Sequence, residues 1–197
     1  MANTYVAEGA LREYEQYAFN ETVLNPLAAG LVGLCALSLL FVNRKSAILP
    51  IILAACFITS IQRVVILGLD FDMIRILIVF GWLRVLMRGE YRGFQSNTIC
   101  KLMIGWVLVG TAAYTLLRKD SGALINRLGW GFDILGMYFL TRIFIQDLDD
   151  VKRVIRFISW IAVPIAGAMI LEQITQRNLF SAFGGVPEYT VIRDGRL

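Results

Sequence analysis

The sequence predicts an all-α protein, a polytopic transmembrane bundle of five or six helical spans, and three observations carry that expectation. Residues 25–42, 46–61, 102–117 and 157–171 contain no charged side chain. An α-helix rises about 1.5 Å per residue, so each run covers much or all of a hydrocarbon core about 30 Å thick. The composition is 57% hydrophobic and 17% charged, with a mean hydropathy of +0.65; a water-soluble chain of that balance cannot cover its own surface. The period-two alternation that a membrane barrel needs is absent.

Three regions follow. Residues 1–24 form a polar or interfacial N-terminal segment, residues 25–173 a transmembrane helical domain, and residues 174–197 a polar loop. The N-terminal segment is no signal peptide, because Glu8, Glu13, Glu15 and Glu21 stand where a basic region belongs. Tyr14 and Tyr17 suit one side of a short interfacial helix, or the segment is a loose tail. The first span runs from about Pro26 to Val42, with Pro26 tolerated in the first turn. Asn43-Arg44-Lys45-Ser46 is a tight basic link to a second span, about Ala47 to Ile61. The third, Phe71 to Met87, includes Arg75, with Asp70 and Asp72 nearby, and Arg84, placed to snorkel to the headgroups. After a basic loop, the fourth covers about Leu102 to Leu117.

The fifth, about Leu124 to Ile145, is the most polar. Asn126, Arg127, Asp133, Tyr138, Thr141 and Arg142 interrupt it, and Gly131 predicts a break or a close helix contact. In the acidic link after it, Asp149 or Asp150 is the expected N-cap of the next helix. The sixth span is about Phe157 to Leu171, with a mild kink at Pro164. The chain closes at Arg196-Leu197 without a polar tail, so the expectation is a fragment of a longer protein.

A formal charge of +4 does not argue for nucleic acid here, because the arginines sit in the links between spans, where they orient helices and meet lipid phosphates. The three cysteines make no disulfide framework or redox motif; Cys35 and Cys56 read as small hydrophobes. Histidine is missing, so any chemistry falls to carboxylates, tyrosines and arginines. No cofactor or metal is expected.

Polar groups at or inside span ends are the candidate sites. Arg63, Asp70 and Arg75 form the first, either an arginine site for a phosphorylated lipid or an interfacial turn with internal ion pairs. Asp133 is the only carboxylate well inside a span, hence a functional candidate, or the structural partner of an arginine from another span. Glu172, Arg177 and Arg193 make a weaker third group.

Three blocks of residues carry a resemblance. Gln-Arg-Val-Val-Ile at 62–66, Leu-Asp-Phe at 69–71, Arg75, Gly-Trp-Leu-Arg at 81–84 and Arg-Gly-Glu at 88–90 form the first. Gly-Trp-Gly-Phe-Asp at 129–133 and Tyr-Phe-Leu-Thr-Arg at 138–142 form the second. Ile-Leu-Glu at 170–172, Asn178-Leu179-Phe180 and Arg-Asp-Gly-Arg at 193–196 form the third. In this order they resemble the amino-terminal half of the O-antigen ligase and exopolysaccharide polymerase family of bacterial inner-membrane proteins. The resemblance implies a multi-pass protein of about ten to twelve spans. It also implies transfer or polymerisation of glycan units from undecaprenyl pyrophosphate, without nucleotide sugar or metal. The expected partners are that lipid-linked glycan, membrane lipids and other polysaccharide-assembly proteins.

On that reading Arg63, Arg75, Arg193 and Arg196, with Asp70, bind the donor, and the arginines neutralise the leaving pyrophosphate. Glu172 or Asp133 positions or deprotonates an acceptor hydroxyl. Residues 174–197 then face the periplasm. A transporter or flippase for an amphiphilic substrate, or a scaffold without chemistry, are the alternatives.

Overall fold

The computed structural model describes residues 22–59, 61–66, 69–119, 121–186 and 188–189. Among them are six α-helices: α1 Pro26–Phe41, α2 Ile48–Phe57, α3 Met73–Arg88, α4 Thr98–Arg118, α5 Ser121–Phe144 and α6 Leu148–Thr175. Two short strands, β1 Arg63–Ile66 and β2 Leu69–Asp72, pair antiparallel between α2 and α3. The expectation of a sheet-free fold is therefore corrected. The β-branched run Val64-Val65-Ile66 favours an extended chain, and the register sets Arg63 opposite Asp72 and Val65 opposite Asp70.

The expected five or six spans are also corrected. Among the described residues only α4, 21 residues long, and α6, 28 residues long, are long and apolar enough to cross a membrane. The physical reason is length. The run at 25–42 yields a helix of 16 residues, and the run at 46–61 yields a helix of only 10, Ile48–Phe57. Near 1.5 Å per residue, ten residues span about 15 Å. A charge-free stretch is not the same thing as an uninterrupted helix. The third expected span begins as strand β2, and α5 carries too much polarity along its length.

Local chemistry explains the helix ends. Asn25 caps α1 by accepting from the Leu27 amide at 2.9 Å, with Pro26 in the first turn. Asn97 caps α4 through the Cys100 amide at 3.0 Å. Asp147, not Asp149 or Asp150, is the N-cap residue of α6, and Asp150 reaches back to accept from the Gln146 amide at 3.2 Å. The helix continues through Pro164.

The core is built by α1, α2, α3 and the second half of α5, around Leu39, Ile51, Leu77, Ile78, Leu140 and Phe144. Helix α5 does not break at Gly131; the glycines instead allow close approach. A Cβ on Gly81 would lie 2.6 Å from Leu140, one on Gly136 2.7 Å from Ile78, and one on Gly131 2.9 Å from Val107. Helices α4 and α6 lie outside this core. Only Cys100 and Val107 of α4, and Asp150 and Ile161 of α6, are buried. Leu117, Trp160 and Ile174 are among the many large apolar side chains left exposed.

Arg84 departs from its expected place. It does not snorkel outward: its side chain is fully buried and pairs with Glu90 through two contacts, 2.9 and 3.1 Å. The same guanidinium donates to the carbonyls of Leu39 and Val42 at the C-terminal end of α1. Arg88 and Arg44 do likewise for the carbonyls ending α1 and α5. These arginines satisfy carbonyls that a helix end leaves without an intrahelical donor.

Candidate functional site

A cavity of about 950 Å³ lies between the hairpin, the start of α3 and the first half of α5. Its position follows from the local chain. Strand β2 runs directly into α3, and Asp72 ends the strand while capping the helix, its Oδ1 accepting from the Arg75 amide at 2.6 Å. That junction aims Arg75 across at α5. Gly129 leaves room for it, since a Cβ there would sit 3.2 Å from the guanidinium.

Arg75 and Asp133 meet as a two-pronged pair, Nε to Oδ1 at 2.8 Å and Nη2 to Oδ2 at 2.5 Å. Arg75 also donates to the backbone carbonyl of Asp70. Hydrogen bonding to Asp133 first, then its negative charge, hold the Arg75 proton more tightly than usual against the opposing cost of burial. Arg75 thus stays charged at any accessible pH. Arg63 lies 3.8 Å from Oδ2 of Asp70, while the other oxygen of Asp70, Oδ1, is buried without a hydrogen-bond partner among the described residues.

The wall has two characters. Arg63, Asp70, Asp72, Arg75 and Asp133 supply charge, and Phe71, Val79, Ile125, Leu128, Trp130 and Phe132 supply apolar surface. Two arginines face three aspartates, a formal balance of one negative charge among the described lining residues. An empty clamp for a polyanion would need the opposite balance. Groups that both donate and accept, such as hydroxyls, fit better, and an aromatic face beside paired ionic groups suits the apolar face of a sugar ring.

Of the residues expected at a site, the structure brings Arg63, Asp70, Arg75 and Asp133 together. Glu172 does not join them; it lies half-buried near the end of α6, outside the cavity. Arg193 and Arg196 lie outside the described residues, as does the expected interfacial helix around Tyr14 and Tyr17. The partner of Arg75 is the residue that local reading misplaces: Asp70 and Asp72 are nearest in sequence, yet Asp133, 58 positions away, makes the ionic contact. The alternative reading of Asp133, as partner to an arginine from another segment, describes the observed pair. Trp130, Ile125 and Asn126 also line the cavity. The one signal for Trp130 and Ile125 is helical spacing from Gly129 and Asp133, while Asn126 also stands out by its polarity.

Elsewhere Tyr138 and Arg142, four apart on one side of α5, both meet Cys100. The Cys100 sulfur lies 3.6 Å from the Tyr138 hydroxyl and 2.9 Å from Nη1 of Arg142. No family model, curated protein or solved structure matches this chain.

Proposed function

We propose that this chain takes part in the transfer or polymerisation of glycan units from an undecaprenyl-pyrophosphate-linked donor at the bacterial inner membrane, as a multi-pass protein held there by α4 and α6. The observation that supports this best is the cavity in which an apolar wall meets a charged one. An amphiphilic substrate needs both within a single site. The balance of charge favours the hydroxyl-rich glycan as its occupant over the pyrophosphate. Within it, Asp70, whose side chain is 44% exposed, offers the carboxylate open to a ligand, since both oxygens of Asp133 are already engaged by Arg75. Asp70 is then the group that holds or orients a sugar hydroxyl, and the Arg75–Asp133 pair sets the shape of the wall.

The test is glycan produced by cells in which variants of this chain replace the native copy, normalised to membrane-inserted protein. Asp70→Asn is expected to lower product about tenfold or more, because it replaces a carboxylate oxygen with an amide donor. Wild-type product from Asp70→Asn would remove the cavity from the reaction.

A purely structural role for the cavity is the second reading. The two-pronged Arg75–Asp133 pair favours it, because it locks α3 to α5 whatever the cavity holds. That reading expects Asp70→Asn and Asp133→Asn to change abundance alone.

A further inference from the structure

A second cluster lies where α4 ends and α5 begins, and it shares Trp130 with the wall of the cavity. We propose that Arg118, Lys119 and Arg127, with Tyr114 and Trp130, form a binding site for the phosphodiester headgroup of an anionic phospholipid. The Arg127 guanidinium lies over the Tyr114 ring at 3.9 Å and the Trp130 ring at 5.1 Å. Its Nε is buried and has no hydrogen-bond partner among the described residues, and the neighbouring Thr115 hydroxyl is in the same condition. Arg118 also stacks on Tyr114, at 5.7 Å.

No ion pair to Arg118, Lys119 or Arg127 occurs among the described residues. Between positions 114 and 130 the sequence sets these three cations against Asp120 alone. A guanidinium held over an aromatic ring keeps its charge, and its fork takes phosphate oxygens in pairs. Depth fits as well. Arg118 ends a helix long enough to cross a bilayer, and Arg127 is about 9 Å along α5 from its start, within reach of the headgroups by snorkelling. Leu117, 82% exposed, offers apolar surface for the acyl chains beside it. A soluble phosphate would gain nothing from that surface, so the lipid is the better match.

The proposal rests on the membrane placement above and not on glycan transfer. The full chain, with Trp82 and Trp160 changed to Phe so that Trp106 and Trp130 report, is reconstituted into nanodiscs of phosphatidylcholine and phosphatidylglycerol at about four to one. Quenching of tryptophan by brominated acyl chains on one lipid or the other then gives their relative occupancy. A preference for phosphatidylglycerol of about fivefold is expected, from the attraction of one basic residue near the surface. It should fall by about twofold or more in Arg127→Gln. The exposed double variant Arg118→Gln/Lys119→Gln should reduce it too, and decides the matter if Arg127→Gln loses native helix content. An unchanged preference in the properly folded variants would overturn the site. So would loss of the preference on adding inorganic phosphate, which would assign the cluster to a soluble anion. Failure of the chain to enter nanodiscs would overturn the membrane placement itself. No glycan product is measured, so failure of the glycan reading leaves these results standing.

Discussion

Three arginines within eighteen residues of sequence, Arg75, Arg84 and Arg92, have different weights in the folded chain. Arg84 is fully buried, with Glu90 and two backbone carbonyls as its partners. Its removal strands a half-buried carboxylate and two acceptors at once, so Arg84→Ala should cost about 3–5 kcal/mol. Arg75 keeps 19% of its side chain exposed and Asp133 28%, so water repays part of the loss and Arg75→Ala should cost about 2 kcal/mol. Arg92 sits exposed in the link after α3, where one charge is worth little. Equilibrium unfolding in mild detergent should therefore rank the alanine variants Arg84, Arg75, Arg92. Arg75 equal to Arg92 would mean that the pair with Asp133 contributes nothing to holding α3 against α5.

Glycine decides how the helices meet. Gly136→Ala would drive a Cβ to 2.7 Å from Ile78 Cγ2 in the core, where the β-branched side chain has little freedom to give. Gly105, in the middle of α4, has nothing within 4 Å of where its Cβ would be. Gly136→Ala should thus destabilise by about 1–3 kcal/mol through overpacking. Gly105→Ala should stabilise by about 0.5–1 kcal/mol, because alanine loses less backbone freedom in a helix. Thermal unfolding of the two variants in one detergent tests the contrast. Matching shifts would show that helix propensity alone, without the α3–α5 contact, governs both positions.

At the scale of the whole molecule, the two helices with enough length and apolarity are the least buried. Only 11% of the apolar stretch of α4 and 6% of that of α6 are buried, whereas the central helix of a soluble domain hides most of its surface. Exposure on that scale is favourable in lipid and costly in water, at about 25 cal/mol per Å² of apolar surface. Cysteines placed singly at Val109 of α4 and Val163 of α6, 69% and 68% exposed, should resist an impermeant maleimide in intact membranes. They should react once the protein is unfolded in a denaturing detergent, while a cysteine at Arg92 reacts already in membrane fragments that expose both faces. Ready labelling of Val109 and Val163 from water would show that neither helix crosses the bilayer.

Helical character, the tolerated Pro26 and the apolarity of α4 and α6 were determined locally. Each depends on side chains within a few residues of the position concerned. The polar character of α5 and the candidacy of Arg63, Asp70, Arg75 and Asp133 were legible for the same reason, as charges set against an apolar background. The span count was not, because an uncharged run says nothing about where hydrogen bonding stops: within 46–61 the helix is only the ten residues Ile48–Phe57, and the chain is a strand from Arg63. Partner choice was not either. Arg75 has Asp70 and Asp72 beside it in sequence, but Asp72 is occupied in capping α3 and Asp70 turns its carboxylate to Arg63. Only the packing of α3 on α5, made possible where Gly81 and Gly136 let the helices close up, brings Asp133 to the guanidinium. Arg84 shows the same limit: its neighbours permit snorkelling, and the carbonyls ending α1, more than forty positions earlier, hold it inside.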